Sequence, residues 1–273
     1  VSRATVMDFF SMLSFGFMQR AFLAGGLVAL SCAVLGVFLV LRREAMIGHG
    51  LSHVTFGGVA MALMLDVAPL PIALAFTLLA AWWINSLRDR AGLGGDIGIG
   101  IVSSLGMALG VLLASLAGDF NADLFSFLFG SVLAIGRGEV WVAGGMALFV
   151  LTVLGLFYNE LIFATFDSQT AATAGINVGR LDALLTALTA VTVVIGMKVV
   201  GLLLVAALMV IPAAAGLHAA RTFRQAVARA VFFAVFSVAG GLAAAFLLDW
   251  PASGTIVLLS GLILGAVLLA ERR

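Results

Sequence analysis

Apolar runs of about twenty residues recur along nearly the whole chain, among them "LLTALTAVTVVIGM" and "VGLLLVAALMVI". At 1.5 Å per residue, about twenty residues in a helix match the ~30 Å hydrocarbon core of a bilayer. These runs are apolar on every face, whereas the strands of a membrane barrel alternate over ~10 residues. Only 10% of the 273 residues are charged and the mean hydropathy is +1.24. A soluble domain carries about a quarter charged residues, so this chain cannot coat itself with polar groups. The class that follows is an all-α polytopic membrane protein, with lipid as its main surroundings.

The spans fall at 17–41, 50–66, 69–87, 97–117, 139–158, 181–197, 199–217, 230–248 and 254–270. Lys198 separates the sixth and seventh, and if those two form one bent span the count is eight transmembrane helices rather than nine. The apolar stretch 124–135, "LFSFLFGSVLAI", is too short to cross and is expected to be a re-entrant segment packed against protein. No Pro/Gly/Ser-rich linker or charge block divides the chain, so residues 1–273 are read as a single transmembrane domain. Thirty-two glycines suit close helix–helix approach in lipid.

Arginine and lysine placement sets the expected orientation. With nine spans and the N-terminus outside, the inner loops hold Arg42, Arg43, Arg88, Arg90, Arg180, Arg221, Arg224, Arg229, Arg272 and Arg273. The outer side holds only Arg3, Arg20, Arg137 and Lys198, so the C-terminus is expected in the cytoplasm. A net charge of +1 offers no basic patch for nucleic acid. Cys32, the single cysteine, lies in an apolar run and reads as a small core residue. The first residues lack the charged, apolar, then small layout of a cleaved leader, and Asp8 interrupts them. The lone lysine belongs to no G-x-x-x-x-G-K-[ST] loop, so any ATP is expected to be hydrolysed by another polypeptide.

Four polar features interrupt the grease. His49 and His53 are four residues apart at the mouth of the second span, which places both rings on one helical face. That spacing lets two imidazole nitrogens reach one metal ion at about 2.0–2.1 Å, and a twofold axis would bring four together. Plain interfacial placement beside Arg42 and Arg43 is the other reading of the pair. The longest polar interruption is 159–182, where Asp167 followed by Ser168 and Gln169 resembles a helix start and "TAGI" a glycine stop. Asp119, Asn121 and Asp123 cluster before the re-entrant stretch on the outer side, fit to line an entrance or to cap a helix. Arg20 is a mouth residue or an interface anchor, Pro212 is expected to kink its span, and His218 reads as interfacial.

Five stretches taken in order, "GVFLVLRREAMIGHGLSHV", "DLFSFLFGSVL", "FDSQTAATAGINV", "KVVGLLLVAALMVIPAAAG" and "DWPASGTIVLLSG", resemble the permease subunit of bacterial zinc and manganese ABC importers (ZnuB/MntB-like permeases). The resemblance runs from "FMQRAFLAG" to "IVLLSGLILGA". It implies the ABC importer permease fold of the metal-ion/vitamin type, in the bacterial cytoplasmic membrane. It also implies a homodimer, two cytoplasmic ABC ATPase subunits that use the ATP, and an extracytoplasmic metal-binding protein. Zn²⁺ or Mn²⁺ would be cargo, and no cofactor would be permanently bound. The segment 160–180 would be the ATPase-coupling element, with Glu160, Asp167, Ser168, Gln169, Ala171, Gly175 and Ile176 its residues. Arg20, Asp119, Asp123 and Pro212 are pore or gate candidates.

One position departs from the family. Where its usual pattern has aspartate, this chain has His49, with histidine kept at His53. Imidazole suits zinc and carboxylate suits manganese, so zinc is the expected cargo, with manganese or iron as alternatives. A remote alternative is an intramembrane metalloenzyme, with His218 and Glu44 as its only further candidates.

Overall fold

The computed structural model describes residues 14–91, 96–116, 127–128, 130 and 135–271. Asp119 and Asp123 lie outside the described residues, as does most of the expected re-entrant stretch 124–135. The described elements are all helices: α1 (Gly16–Leu41), α2 (Met46–Met64), α3 (Pro69–Ala91), α4 (Asp96–Leu116), α5 (Arg137–Leu156), α6 (Tyr158–Phe166), α7 (Ser168–Thr173), α8 (Val178–Val200), α9 (Leu202–Ala219), α10 (Phe223–Leu248) and α11 (Ala252–Glu271).

Eight of these are long and apolar enough to cross a membrane: α1, α3, α4, α5, α8, α9, α10 and α11. Helix α2 matches them in length, with 19 residues, but carries His49, Ser52, His53 and Thr55 on an otherwise apolar sequence. The first span read from sequence matches α1 to within one residue. The eighth differs most, because α10 starts at Phe223 rather than 230. Arg224, Gln225 and Arg229 break the apolar run there, yet the Thr222 hydroxyl accepts the Gln225 N–H at 3.3 Å and caps the helix. The polar 159–182 stretch holds two short helices, α6 and α7, where one was expected.

Helices α8 and α9 are separated by a single residue, Gly201, with φ at +89°, a conformation that a residue with a Cβ rarely adopts. The chain reverses there: a Cβ placed on Gly196 would meet Val205 Cγ2 at 2.8 Å. Lys198 therefore sits in the last turn of α8, and the two segments are separate helices rather than one bent helix. The turn is buried, and Gly130 packs over it so closely that a Cβ there would lie 2.6 Å from the Val200 carbonyl carbon.

Helices α1, α8 and α9 form the middle of the bundle, since 67%, 67% and 56% of their spans are buried, against 28% for α5 and 17% for α11. The large apolar core joins α1, α5, α8, α9 and α10. A second, smaller core links Ile47, Leu51 and Val54 of α2 to Ala80 and Ile84 of α3 and Ile99 and Val102 of α4. Glycines bring α2 and α4 together: a Cβ on Gly57 would lie 2.7 Å from the Gly106 carbonyl, and one on Gly106 2.7 Å from Val54 Cα. That near-backbone contact fixes where α2 stands, because neither helix can move inward.

Ion pairs tie the helix ends in a consistent pattern. Lys198 at the end of α8 meets Glu139 at the start of α5 at 2.9 Å. At the opposite end, Arg42, Glu44, Arg88 and Asp182 form a cluster joining α1, the α1–α2 corner, α3 and α8. Substituting Gly106→Ala should destabilise the bundle by about 1–3 kcal/mol through overpacking. Gly145→Ala, where nothing lies within 4 Å of the added carbon, should keep or raise stability, by up to about 1 kcal/mol. Size-exclusion melting curves of both variants in detergent check the contrast.

Candidate metal site

Helix α2 starts at Met46, so His49 and His53 lie within its first three turns rather than ahead of it. Their ring centroids are 4.5 Å apart and tilted by 56°, as the i, i+4 spacing requires. His49 is exposed on the single chain and His53 half-buried, so the pair faces outward from the bundle toward an open side. Neither ring makes a hydrogen bond to another described residue. By contrast, the neighbouring hydroxyls are satisfied locally: Ser52 donates to the Gly48 carbonyl at 2.8 Å and Thr55 to that of Leu51 at 2.7 Å.

Both histidines border a small cavity of about 30 Å³, about the share of one water molecule in the liquid. Its walls are His49, Ser52, His53 and Phe56 of α2, Met107 of α4, Leu202, Leu203 and Ala206 of α9, and Leu128. Among the residues lining it, His49, His53, Ser52 and Met107 carry possible metal donors, two imidazoles, a hydroxyl and a thioether, in a lining that is otherwise apolar. Among the described residues no third His, Cys, Asp or Glu joins the pair. Nitrogen and sulfur donors suit borderline and soft cations, whereas hard ions prefer oxygen. Met107 was invisible to sequence reasoning, since it arrives from another helix across the glycine contact of α2 with α4. Ser52 was legible in principle, because its i+3 spacing from His49 puts it on the same face.

The coupling candidates gather at the end of the bundle that carries Arg42. Asp167 caps α7 by accepting the Thr170 N–H at 2.9 Å, and hydrogen bonds from Thr170 hold its carboxyl below the usual carboxylate range. Asp167, Ser168 and Gln169 are exposed, while Ala171 is buried and anchors α7 to the bundle. Gly175 takes φ +88° to end the short helix, and Ile176 packs back onto the core. Glu160 is half-buried in the first turn of α6, on the approach to this segment.

The remaining candidates stand apart from the histidines. Arg20 donates from Nε to the Ile135 carbonyl at 2.6 Å, which ties α1 to the approach of α5. Pro212 is buried, and α9 runs through it as a continuous helix. His218 lies at the end of α9 with Nδ1 3.1 Å from Glu271 Oε2, both side chains about half exposed, in keeping with an interfacial role. Glu44 pairs with Arg88 at 2.7 Å; burial pushes its carboxyl up, opposed by the Arg88 charge.

The comparisons with known proteins agree with this architecture. The chain is 33% identical over 240 residues to the high-affinity zinc uptake system membrane protein ZnuB of Haemophilus influenzae, covering 88% of this chain and 92% of that one. It is 32% identical over 252 residues to the manganese transport system membrane protein MntC of Halalkalibacterium halodurans, covering 92% and 86%. A solved structure, PsaBC from Streptococcus pneumoniae in complex with Fab, matches with a TM-score of 0.85 at 28% identity, covering 96% of this chain and 95% of that one. The model of the ABC 3 transport family matches residues 14–270. The chain is a membrane protein of the ABC 3 transport family.

Proposed function

We propose that the chain is the permease subunit of an importer that moves a divalent transition-metal ion, zinc foremost, into the cytoplasm. The observation that carries this reading is the pair of adjacent imidazoles, His49 and His53, unpartnered among the described residues and open to one side of the chain. Two copies of the chain meeting on that side would present four nitrogen donors to one passing ion, the tetrahedral number that zinc favours. Each ion must leave again, so the site is a transient station rather than a resting place. ATP is hydrolysed by two copies of a separate ATPase, docked on the 160–180 segment around Glu160, Asp167, Ser168, Gln169, Ala171, Gly175 and Ile176. The end of the bundle carrying Arg42 and Arg88 is cytoplasmic, as is the C-terminus. An extracytoplasmic binding protein delivers the ion to the opposite end, near Arg20, a gate candidate with Asp119 and Asp123 of the sequence reading; Pro212 lets α9 adjust during rocking of the two protomers.

Manganese is the second reading, supported by the 32% identity to a protein named for manganese transport. The donors lining the cavity favour zinc, for the reasons of softness given above. An intramembrane metalloenzyme has less support, since its two further candidates are engaged elsewhere, Glu44 with Arg88 and His218 with Glu271.

Reconstitution with the ATPase and uptake of radioactive zinc tests the station. His49→Ala and His53→Ala should each lower uptake and zinc-stimulated ATP hydrolysis by about tenfold or more, as loss of a ligand or its support does in metal sites. Wild-type transport by both variants would sink the idea. His49→Asp should raise manganese uptake relative to zinc by about tenfold, because a carboxylate restores hard-donor character; an unchanged ratio places selectivity elsewhere. Asp167→Ala removes the α7 cap and should lower the amount of ATPase that co-purifies with the permease.

A further inference from the structure

Four charged side chains converge where the histidine helix begins, and neither the station nor the docking segment accounts for them. Arg42 caps the end of α1, Glu44 occupies the corner before α2, Arg88 ends α3 and Asp182 lies in the second turn of α8. All four are largely buried, between 8% and 20% exposed. Arg42 Nη2 bonds to Asp182 Oδ1, while Arg88 Nη1 lies 3.1 Å from Asp182 Oδ2 and 2.7 Å from Glu44 Oε1. The set is neutral: two arginines against two carboxylates.

Each end of this chain of contacts leads somewhere functional. Asn177, inside the docking segment, caps α8 by accepting the Arg180 N–H at 3.0 Å, and Asp182 follows in the second turn of the same helix. On the other side, the Glu44 carbonyl accepts the Ile47 N–H at 3.0 Å, so the corner at Glu44 is tied directly to the first turn of the helix that carries His49. A displacement of α7 thus has a continuous route through Asp182, Arg88 and Glu44 to the histidines.

The cluster is also incompletely bonded. Arg42 Nη1 and Glu44 Oε2 are both buried without a hydrogen-bond partner among the described residues. These atoms have opposite charge and belong to residues two apart on one corner, where Arg43 holds φ at +59°. A direct bond between Arg42 and Glu44 would satisfy both, and would free the Asp182 oxygen that Arg42 now holds. A buried ion cluster adds little stability over apolar packing, but it offers discrete alternative pairings, which packed apolar side chains do not.

We propose that Asp182 is a positioning residue for the two-histidine station: by holding Arg42 and Arg88 it sets the start of α2. When the docking segment draws α8 away, Arg42 transfers to Glu44 and α2 shifts with His49 and His53. This rests on the reading of His49 and His53 as station and of 160–180 as docking segment.

The test uses the whole permease–ATPase complex in liposomes, with basal hydrolysis, zinc-stimulated hydrolysis and zinc uptake read separately. Asp182→Asn should assemble and keep basal hydrolysis while its zinc-stimulated part falls by about tenfold, within the range usual for coupling between sites. Asp182→Glu should recover most of the stimulation. Where Asp182→Asn fails to assemble, Glu44→Gln carries the test, with the same selective loss of stimulation expected. Wild-type stimulation in either variant overturns the proposal. So does an equal fall of basal and stimulated rates, or loss of assembly in both variants, since each marks the cluster as structural only. A wild-type complex that moves no metal refutes the transport reading instead.

Discussion

The bilayer offers no water to a stray polar group, and this constraint shapes the whole bundle. Backbone groups are satisfied by running as helices, and most of the buried hydroxyls among the described residues follow the same rule one turn back, Ser260 excepted. Ser31, Thr77, Thr189, Thr192 and Ser237 each donate to the carbonyl four residues earlier. Polar side chains of this kind donate their one proton to their own helix and keep only acceptor lone pairs, as in the Thr55–Thr77 contact between α2 and α3 at 2.9 Å. Against that background His49 and His53 stand out chemically, because an imidazole at i cannot reach back in the same way. Their nitrogens remain open to whatever comes to that face.

Spans were legible because the hydrophobic length of a bilayer is written directly into the chain, and the ends of α1 and α11 shifted by two residues or fewer from the sequence reading. Where polar residues enter a helix at the interface, as Arg224 and Arg229 do in α10, hydropathy ends the span too early. The face shared by His49 and His53 followed from a spacing of four. The other wall of their cavity did not, since Met107 and Leu203 arrive from helices distant in sequence. The Arg42–Asp182 pair spans 140 positions, and no local pattern signals a contact of that range.

A site built from neutral donors has an electrostatic consequence. Two imidazoles provide lone pairs but no countercharge, so a dication passing the proposed station would be held by coordination more than by field. The acidic group nearest along the chain, Glu44, is already committed to Arg88. If the pair is the metal station proposed above, histidine in place of the aspartate usual in the resembling family would trade attraction for softness at one position.

The single-residue turn at Gly201 leaves no slack between α8 and α9. A longer loop would absorb an axial slide of one helix before the next felt it. Here the two form a closed hairpin, so under the proposed coupling a push applied at the Asn177 end of α8 would reach Leu203 and Ala206 beside the histidine cavity within the same rigid stroke. One wall of that cavity would thus travel as a piston, while the wall opposite turns about the corner at Arg43. Insertion of even a few flexible residues at Gly201 would decouple stroke from cavity while leaving every helix intact.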